Sequence, residues 1–212
     1  MNQEKIKNIN GVSSKCRKFH GDGQENKLKK GICKKDKKMY SLETLLAMCD
    51  DSIRSLGYDR EPQLLYYPIK YTLDAGGKRL RPVILLSVCD MFGGEVTSAM
   101  PAAMAVEVFH NFTLLHDDIM DNAPTRRGRP TVHKRWNSNV AILSGDAMVI
   151  SSYDILSQAP ADKLPRLLYD FTLLGKGVCE GQLYDMEFEK RGADVTLDEY
   201  IEMIRLKTAV LI

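Results

Sequence analysis

The sequence lacks the patterns of several large classes of protein. None of its apolar runs reaches the roughly 20 residues of a membrane-spanning helix, so we expect no transmembrane segment. No continuous apolar segment of the secretory type is present near the start. The five cysteines are odd in number and scattered, with neither metal-binding spacing nor a disulfide framework. This cysteine usage favours a reducing cytoplasm over a secreted, disulfide-stapled protein.

Strand signals are missing as well: alternating apolar and polar residues and hairpin dipeptides are absent. Helical periodicity instead predicts seven helices, beginning near residues 41, 62, 82, 97, 137, 163 and 197. Pro82 is predicted as the first residue of the third helix. Thr196 and Glu199 predict a capping box for the last helix, which has no stop signal before Ile212. The expected fold is an all-α, single-domain bundle of long helices.

Charge is distributed unevenly along the 212 residues. Residues 1–40 carry twelve Lys/Arg and four Asp/Glu, and the other 172 carry eighteen and twenty-four, which gives the net charge of +2. Residues 1–40 also lack helical periodicity, so we predict a disordered basic tail. We expect no nucleic-acid partner. Residues 41–212 are predicted to form the folded domain, since 44% of the sequence is hydrophobic.

Three carboxylates end an apolar run at Asp117, Asp118 and Asp121. On a helix Asp117 and Asp121 share a face, because they are four residues apart. Mg²⁺ takes oxygen ligands and binds through a few carboxylates together with substrate phosphates. Arg126 and Arg127 follow, and guanidinium groups match phosphate oxygens. The cluster therefore predicts a magnesium-diphosphate site, and a solvated acidic helix end followed by a basic turn is the alternative.

A second motif, Gly-Gly-Lys-Arg-Leu-Arg-Pro at residues 76–82, places Lys78, Arg79 and Arg81 within four residues before a helix. Gly77 permits close approach of the backbone. A cationic loop that leads into a helix N-terminus suits a phosphate, although a basic surface turn would look the same. Taken together, the acidic and basic motifs predict two phosphorylated substrates.

Several motifs in this order resemble the trans-polyprenyl diphosphate synthases, the family of farnesyl and geranylgeranyl diphosphate synthases. They are Gly-Gly-Lys-Arg-Leu-Arg-Pro (76–82), Leu-Leu-His-Asp-Asp-Ile-Met-Asp (114–121), Arg-Arg-Gly-Arg-Pro-Thr-Val-His (126–133), Gly-Asp (145–146), Gly-Gln (181–182) with Asp185, and Lys-Thr-Ala (207–209). The resemblance runs from about residue 41 to 212. It implies an isoprenoid synthase-like fold, pairing as a homodimer, and head-to-tail condensation of an allylic diphosphate with isopentenyl diphosphate.

The resemblance also implies a role for each matching residue. Asp117 and Asp121 would bind Mg²⁺, with Asp118 supporting or shared. Arg126 would hold the allylic diphosphate, and Lys207 and Thr208 would grip it from the seventh predicted helix as the catalytic pair. Gln182 and Asp185 would support the metal site. Isopentenyl diphosphate would be held by Lys78, Arg81, His110 and Arg127.

Product length has a local indication in this family, where bulky residues just before the first Asp-rich motif limit the growing chain. Phe112 lies five residues before Asp117, about 7.5 Å along a helix, and the smaller Thr113 lies four before. One aromatic residue in this position predicts a short product of C15 or C20.

The sequence departs from the family pattern at its end. The second Asp-rich motif of the family lies well downstream of the Lys-Thr pair, and this sequence ends five residues after Lys207. The expected fold is therefore incomplete, and the 212-residue chain alone is expected to be weak or inactive. A truncated synthase, a non-catalytic partner subunit or decayed homologue, and a class I terpene cyclase all remain open. The cyclase is disfavoured because it would not need an isopentenyl diphosphate site.

Overall fold

The computed structural model describes residues 39–212. The predicted basic tail therefore lies outside the described residues, apart from its last two positions. Of these, Tyr40 donates its backbone N–H to Asp90 Oδ2 at 2.7 Å and packs against the core.

Helices dominate the described residues, which confirms the all-α prediction. In chain order the elements are α1 (Leu42–Arg54), α2 (Gln63–Leu73), α3 (Leu80–Met91), α4 (Val96–Met120), β1 (Thr125–Arg126), β2 (Arg129–Pro130), α5 (Val132–Arg135), α6 (Ser138–Leu156), α7 (Leu164–Arg191) and α8 (Leu197–Lys207). No helix in this part of the chain is long and apolar enough to cross a bilayer.

Three helix starts are determined by local capping. The side chains of Ser41, Asn137 and Thr196 accept the N–H groups of Thr44, Val140 and Glu199, at 3.2, 2.9 and 3.3 Å. The Glu199 carboxylate also accepts the Thr196 N–H at 2.8 Å, so the predicted capping box is confirmed. Each bond satisfies an N–H that has no partner inside its helix.

The centre of the bundle is α4, which packs against α3 on one side and α6 on another. Its middle is buried at successive positions, including Ala103, Val108, Phe109 and Leu115, all at most 3% exposed. Further out, α2 packs on α6, and α7 packs on α8. Because α4 is surrounded, its C-terminal turn brings the acidic motif to the end of the core.

Helix α3, at the end of the basic motif, begins two residues earlier than predicted. Pro82 is the third residue of α3 rather than the first, since the helix starts at Leu80. Proline is tolerated there because N–H groups in a first turn have no intrahelical partner.

The last helix does not run to Ile212, so that prediction was wrong. It ends at Lys207, Thr208 has φ −123° and ψ −51°, and a short 3₁₀ turn covers Ala209–Leu211. The break turns Leu211 inward, where it is 4% exposed, while Ile212 stays 73% exposed. Burial of Leu211 is therefore gained by leaving the α-helical path.

A two-residue hairpin, β1 with β2, follows the acidic motif and was not predicted. Its turn residues Arg127 and Gly128 have φ of +52° and +74°, the left-handed pair that a tight hairpin requires. Glycine or asparagine usually takes the first of these two turn positions. Because arginine takes it here, the sequence showed no hairpin dipeptide. The hairpin separates the side chains of Arg126 and Arg127, which contact different partners.

Candidate active site

A cavity of about 400 Å³ lies between α4, α7 and the end of α8. Its lining combines charged residues of the motifs with an apolar wall: Arg81, His110, Phe112, Thr113, Leu114, His116, Asp117, Met120, Val178, Cys179, Gln182, Leu183, Met186, Lys207, Thr208 and Leu211. We call it the acidic cavity, because Asp117 lies at its rim.

The three aspartates divide between two faces of α4. Asp117 lines the acidic cavity, and Asp121 follows one turn later as the exposed C-cap of the helix. Asp118 is on another face and only 5% exposed. Arg126 Nε donates to both of its carboxylate oxygens, at 2.8 and 2.9 Å. Asp118 thus holds Arg126 beside the site.

Electrostatics links Asp117 to the end of α8. Burial raises the pKa of Asp117, Lys207 opposes that rise, and the carboxylates of Asp121 and Asp185 add to it. Lys207 Nζ pairs with Asp185 Oδ2 at 2.5 Å. The carboxylates of Asp117, Asp121 and Asp185 therefore share one small region, and Lys207 is the cation that acts most strongly on Asp117. A divalent cation would relieve the same repulsion.

These donors fit Mg²⁺ by chemical type. Within residues 39–212 no group of three or more His, Cys, Asp or Glu side chains is already arranged around one point. Mg²⁺ does not need such a cage, since it keeps several waters and binds through one or two carboxylates plus phosphate oxygens. Asp117 in the cavity lining and Asp121, the C-cap one turn later, match that requirement.

A second cavity of about 440 Å³ adjoins the first. It is lined by Gly77, Lys78, Arg79, Leu80, Arg81, Glu107, His110 and Arg127, and we call it the basic cavity. Arg81 and His110 line both cavities. The predicted phosphate loop and the acidic motif therefore line two neighbouring cavities that have these two residues in common.

Gly77 leaves room for the side chain of Arg127 in the basic cavity. A Cβ atom there would lie 3.2 Å from Arg127 Nη2, so the guanidinium packs onto the bare backbone. This contact brings Arg127 to the loop that carries Lys78, while Arg126 stays with Asp118. Arg79, by contrast, is buried, with 5% of its surface exposed.

His110 lies between the cavities and is held neutral. Burial first, then the charges of Arg81, Arg127, Arg126 and Arg79, lower its pKa to about 3. Its Nε2 lies 3.2 Å from Arg81 Nη1. Because a guanidinium only donates, Nε2 must accept, and the proton of the neutral ring is on Nδ1. That buried Nδ1 has no partner among the described residues.

The lowered pKa of His110 predicts acid sensitivity. His110 binds a proton near pH 6.5 in the unfolded chain, but only near pH 3 in the folded protein. The free energy of unfolding should be constant above pH 6.5 and fall by on the order of 1 kcal/mol per pH unit below it. Urea unfolding between pH 4 and 8 measures this slope. His110→Gln should reduce it to the part due to His133, whose pKa burial also lowers, and an unchanged slope would contradict the assignment.

Gly181 lets α8 reach the site. A Cβ at this position would lie 2.7 Å from Lys207 Cα and even closer to its backbone nitrogen. The neighbouring Gln182 lines the acidic cavity and contacts Met120 Sδ at 3.6 Å. Lys207 and Thr208 are therefore placed at the cavity by the absence of a side chain on α7.

Gly181→Ala should destabilise the fold by about 1–3 kcal/mol, because backbone atoms cannot move aside as a flexible side chain can. It should also weaken Mg²⁺-dependent binding of an allylic diphosphate, since Lys207 and Thr208 must shift. Gly175→Ala is the matched control on α7. Its Cβ would lie 3.5 Å from Phe109, an ordinary contact, so stability should stay the same or rise. Urea unfolding and calorimetric titration measure the two effects, and equal behaviour of the two variants would contradict this account.

Known proteins carry the same pattern. Residues 62–212 match the sequence profile of the family described as Polyprenyl synthetase. The chain belongs to the polyprenyl synthetase family.

Relatives in this polyprenyl synthetase family are longer than the chain. A geranylgeranyl diphosphate synthase of Methanosarcina mazei is 46% identical over 153 residues, which cover 71% of the chain and 47% of that relative. Another, of Saccharolobus solfataricus, is 48% identical over 141 residues, covering 65% and 42%. The solved geranylgeranyl pyrophosphate synthetase of the archaeon Geoglobus acetivorans is 41% identical with a TM-score of 0.78, covering 81% and 56%. The chain thus spans about half the length of these relatives and has their isoprenoid synthase fold.

The sequence motifs did not predict the apolar wall of the acidic cavity. Val178, Leu183 and Met186 on α7 line the acidic cavity together with Gln182. Positions 178, 182 and 186 are four residues apart, so the helical period of α7 was the available signal. His116 was missed as well. Its Nε2 lies 3.2 Å from the Ile142 carbonyl oxygen, and a Cβ on Gly145 would collide with its ring.

Phe112 lines the acidic cavity, and other aromatic rings support it. Its ring packs edge-on against Phe109 and His116, with centroids 5.2 and 4.7 Å apart. Phe109 contacts Phe171 at 5.4 Å, and Phe171 contacts Tyr153 at 5.1 Å. Thr113 lines the same cavity and donates its hydroxyl to the His110 carbonyl at 2.7 Å. Phe112 therefore belongs to an aromatic stack that spans α4, α7 and α6, and we predict that this stack is the floor of the cavity.

Proposed function

We propose that this protein is a short-chain prenyltransferase that joins an allylic diphosphate to isopentenyl diphosphate. The single observation that carries the proposal is the pair of adjoining cavities of opposite character, which share Arg81 and His110. One cavity has a carboxylate rim and an apolar floor, and the other has a concentration of cations. Two diphosphate esters held there would have their hydrocarbon ends in a common space. The names of the relatives support a geranylgeranyl-length product.

The reaction needs three things from the protein. The allylic C–O bond breaks and diphosphate leaves with the electron pair. The double bond of isopentenyl diphosphate then forms the new C–C bond with the allylic carbon, and a proton is lost from the isopentenyl unit. The protein must therefore stabilise the leaving anion, hold the second ester close, and keep water from the allylic cation.

The leaving group would be held on the acidic side. Lys207 and Thr208 approach from α8, and Arg126 is oriented by its two bonds to Asp118. Mg²⁺ on Asp117 and Asp121 would supply the charge that stabilises diphosphate as its C–O bond breaks. Gln182 and Asp185 would support this arrangement, since Asp185 already pairs with Lys207.

Isopentenyl diphosphate would be held on the basic side by Lys78, Arg81, His110 and Arg127. The Nδ1 proton of the neutral His110 ring has no acceptor among the described residues, and we propose a phosphate oxygen as its acceptor. The apolar wall on α7, with Phe112 below it, would exclude water from the reacting carbons.

The decisive experiment combines binding with turnover. Calorimetry should show Mg²⁺-dependent binding of dimethylallyl or geranyl diphosphate and binding of isopentenyl diphosphate that Arg81→Ala abolishes. At the low rate expected of the 212-residue chain, labelled isopentenyl diphosphate with each allylic substrate should give C15–C20 prenyl diphosphates, identified by mass spectrometry, and EDTA should stop their formation. Binding without turnover would fit both the inactivity expected of the 212-residue chain and a non-catalytic partner subunit. Failure to bind either diphosphate would overturn the proposal.

Two further parts of the proposal concern the setting of the protein. We expect a homodimer, which light scattering of the purified protein measures directly. A cytoplasmic location rests on the cysteine pattern, and the three described cysteines, Cys49, Cys89 and Cys179, all have free thiols.

A further inference from the structure

Arg79 behaves differently from its neighbours in the basic loop. Lys78 is exposed, and Arg81 lies at the junction of the two cavities, whereas Arg79 is 5% exposed. Its backbone is left-handed, with φ +48° and ψ +31°, although it is not glycine. This conformation is uncommon for a long side chain and persists only where surrounding contacts hold it.

All three guanidinium nitrogens of Arg79 take part in those contacts. Nε donates to Asp50 Oδ1 at 3.1 Å, Nη1 to Glu107 Oε1 at 2.8 Å, and Nη2 to the Leu73 carbonyl at 3.1 Å. Asp50 belongs to α1, Glu107 to α4, and Leu73 is the last residue of α2. One side chain therefore ties the loop to three helices.

Glu107 connects this anchor to the binding residues. It is 3% exposed, lines the basic cavity, and also accepts from Asn111 Nδ2 at 3.1 Å. Its charge favours the protonated forms of Arg81 and Arg127, whose pKa values burial lowers. Buried ion pairs can often be replaced by apolar side chains without loss of stability. Fold stability alone therefore does not account for an anchor built from charges.

We propose that Arg79 is the positioning residue of the isopentenyl diphosphate site. Although Arg79 lines the basic cavity, all three of its guanidinium nitrogens are bonded to protein groups. Through Asp50, Leu73 and Glu107 it holds residues 76–81 in the one conformation in which Lys78 and Arg81 both face the basic cavity. The identity of the ligand rests on the proposed function, but the anchoring of the loop does not.

The test is the double variant Arg79→Met with Glu107→Leu. It removes one cation and one anion, so the net charge of the site is unchanged, and the exchange rate of the loop amides reports the geometry of the loop. Unlike either single variant, it leaves neither member of the buried Arg79–Glu107 pair without the other. Asp50 is partly exposed to water, and the Leu73 carbonyl keeps the N–H of Gly76. The matched control is Arg166→Met with Asp170→Leu, an exposed pair on α7 with nitrogen and oxygen 2.8 Å apart.

We expect both single variants to melt at lower temperature and the double variant to recover most of that loss. The double variant should nevertheless bind isopentenyl diphosphate at least tenfold more weakly in calorimetric titration. Hydrogen exchange should quicken at the amides of residues 76–81 while α4 and α6 keep their protection. The control pair should change none of these.

Two results separate the inference from the proposed function. If the folded double variant binds within twofold of wild type, or its loop exchanges at the wild-type rate, Arg79 is not a positioning residue. If the wild-type protein does not bind isopentenyl diphosphate, the proposed function fails, and the exchange rate of the loop still decides the role of Arg79.

Discussion

Asp117→Asn is expected to lower Mg²⁺-dependent prenyl transfer, and Mg²⁺-dependent binding of the allylic diphosphate, by on the order of 10²–10³-fold. Asp117 is the carboxylate that lines the acidic cavity, and its pKa is raised by burial and by neighbouring carboxylates. An amide at this position keeps the shape of the side chain but loses the charge that attracts the metal. Titration of the variant with geranyl diphosphate at several Mg²⁺ concentrations measures the loss.

Asp118→Asn is the informative comparison, because Asp118 lies one residue away on a different face. Its two oxygens are occupied by Arg126. We expect weaker binding of the allylic diphosphate with little change in its dependence on Mg²⁺. Asp51→Asn, on the exposed side of α1, should change neither. If Asp118→Asn reproduced the full metal dependence of Asp117→Asn, the division of the acidic motif between metal and arginine would be wrong.

Thr113→Phe is expected to shorten the main product by at least one five-carbon unit. Thr113 lines the acidic cavity beside Phe112, and a second ring at this level fills space that a growing chain would occupy. The stack of Phe112, Phe109 and Phe171 gives the new ring a firm base. Mass spectrometry of dephosphorylated products measures the change in length.

Phe112→Ala should have the opposite effect, because it removes the floor itself. Thr97→Phe, at an exposed position near the start of α4, is the control and should leave product length unchanged. A wild-type protein that makes long products which neither variant alters would refute the assignment of the floor to residues 112 and 113.

Much of the fold could be predicted from local pattern. Capping residues at Ser41, Asn137 and Thr196 marked three helix starts, because a cap is a contact between residues two or three apart. The end of α8 could not be predicted, since it depends on the burial of Leu211 against a different helix. The hairpin at residues 125–130 was hidden because arginine takes the left-handed position that glycine or asparagine usually fills.

The candidate site shows the same division. That Asp117 and Asp121 share a helix face follows from their spacing alone. Local chemistry alone does not distinguish Lys78 from Arg79, or Arg126 from Arg127, because adjacent cations have the same chemistry. Only the family resemblance gave them different roles. The apolar wall on α7 was visible only as a helical period, which any buried helix would show.

By itself the sequence determined a helical protein with one acidic and one basic motif suited to diphosphates, because those properties arise from composition and from contacts within a turn or two of chain. Tertiary structure alone decided which charges face the cavities and which are used as anchors. That choice depends on partners far away in sequence: Asp50 and Glu107 draw Arg79 inward, and the missing side chain of Gly77 makes room for Arg127.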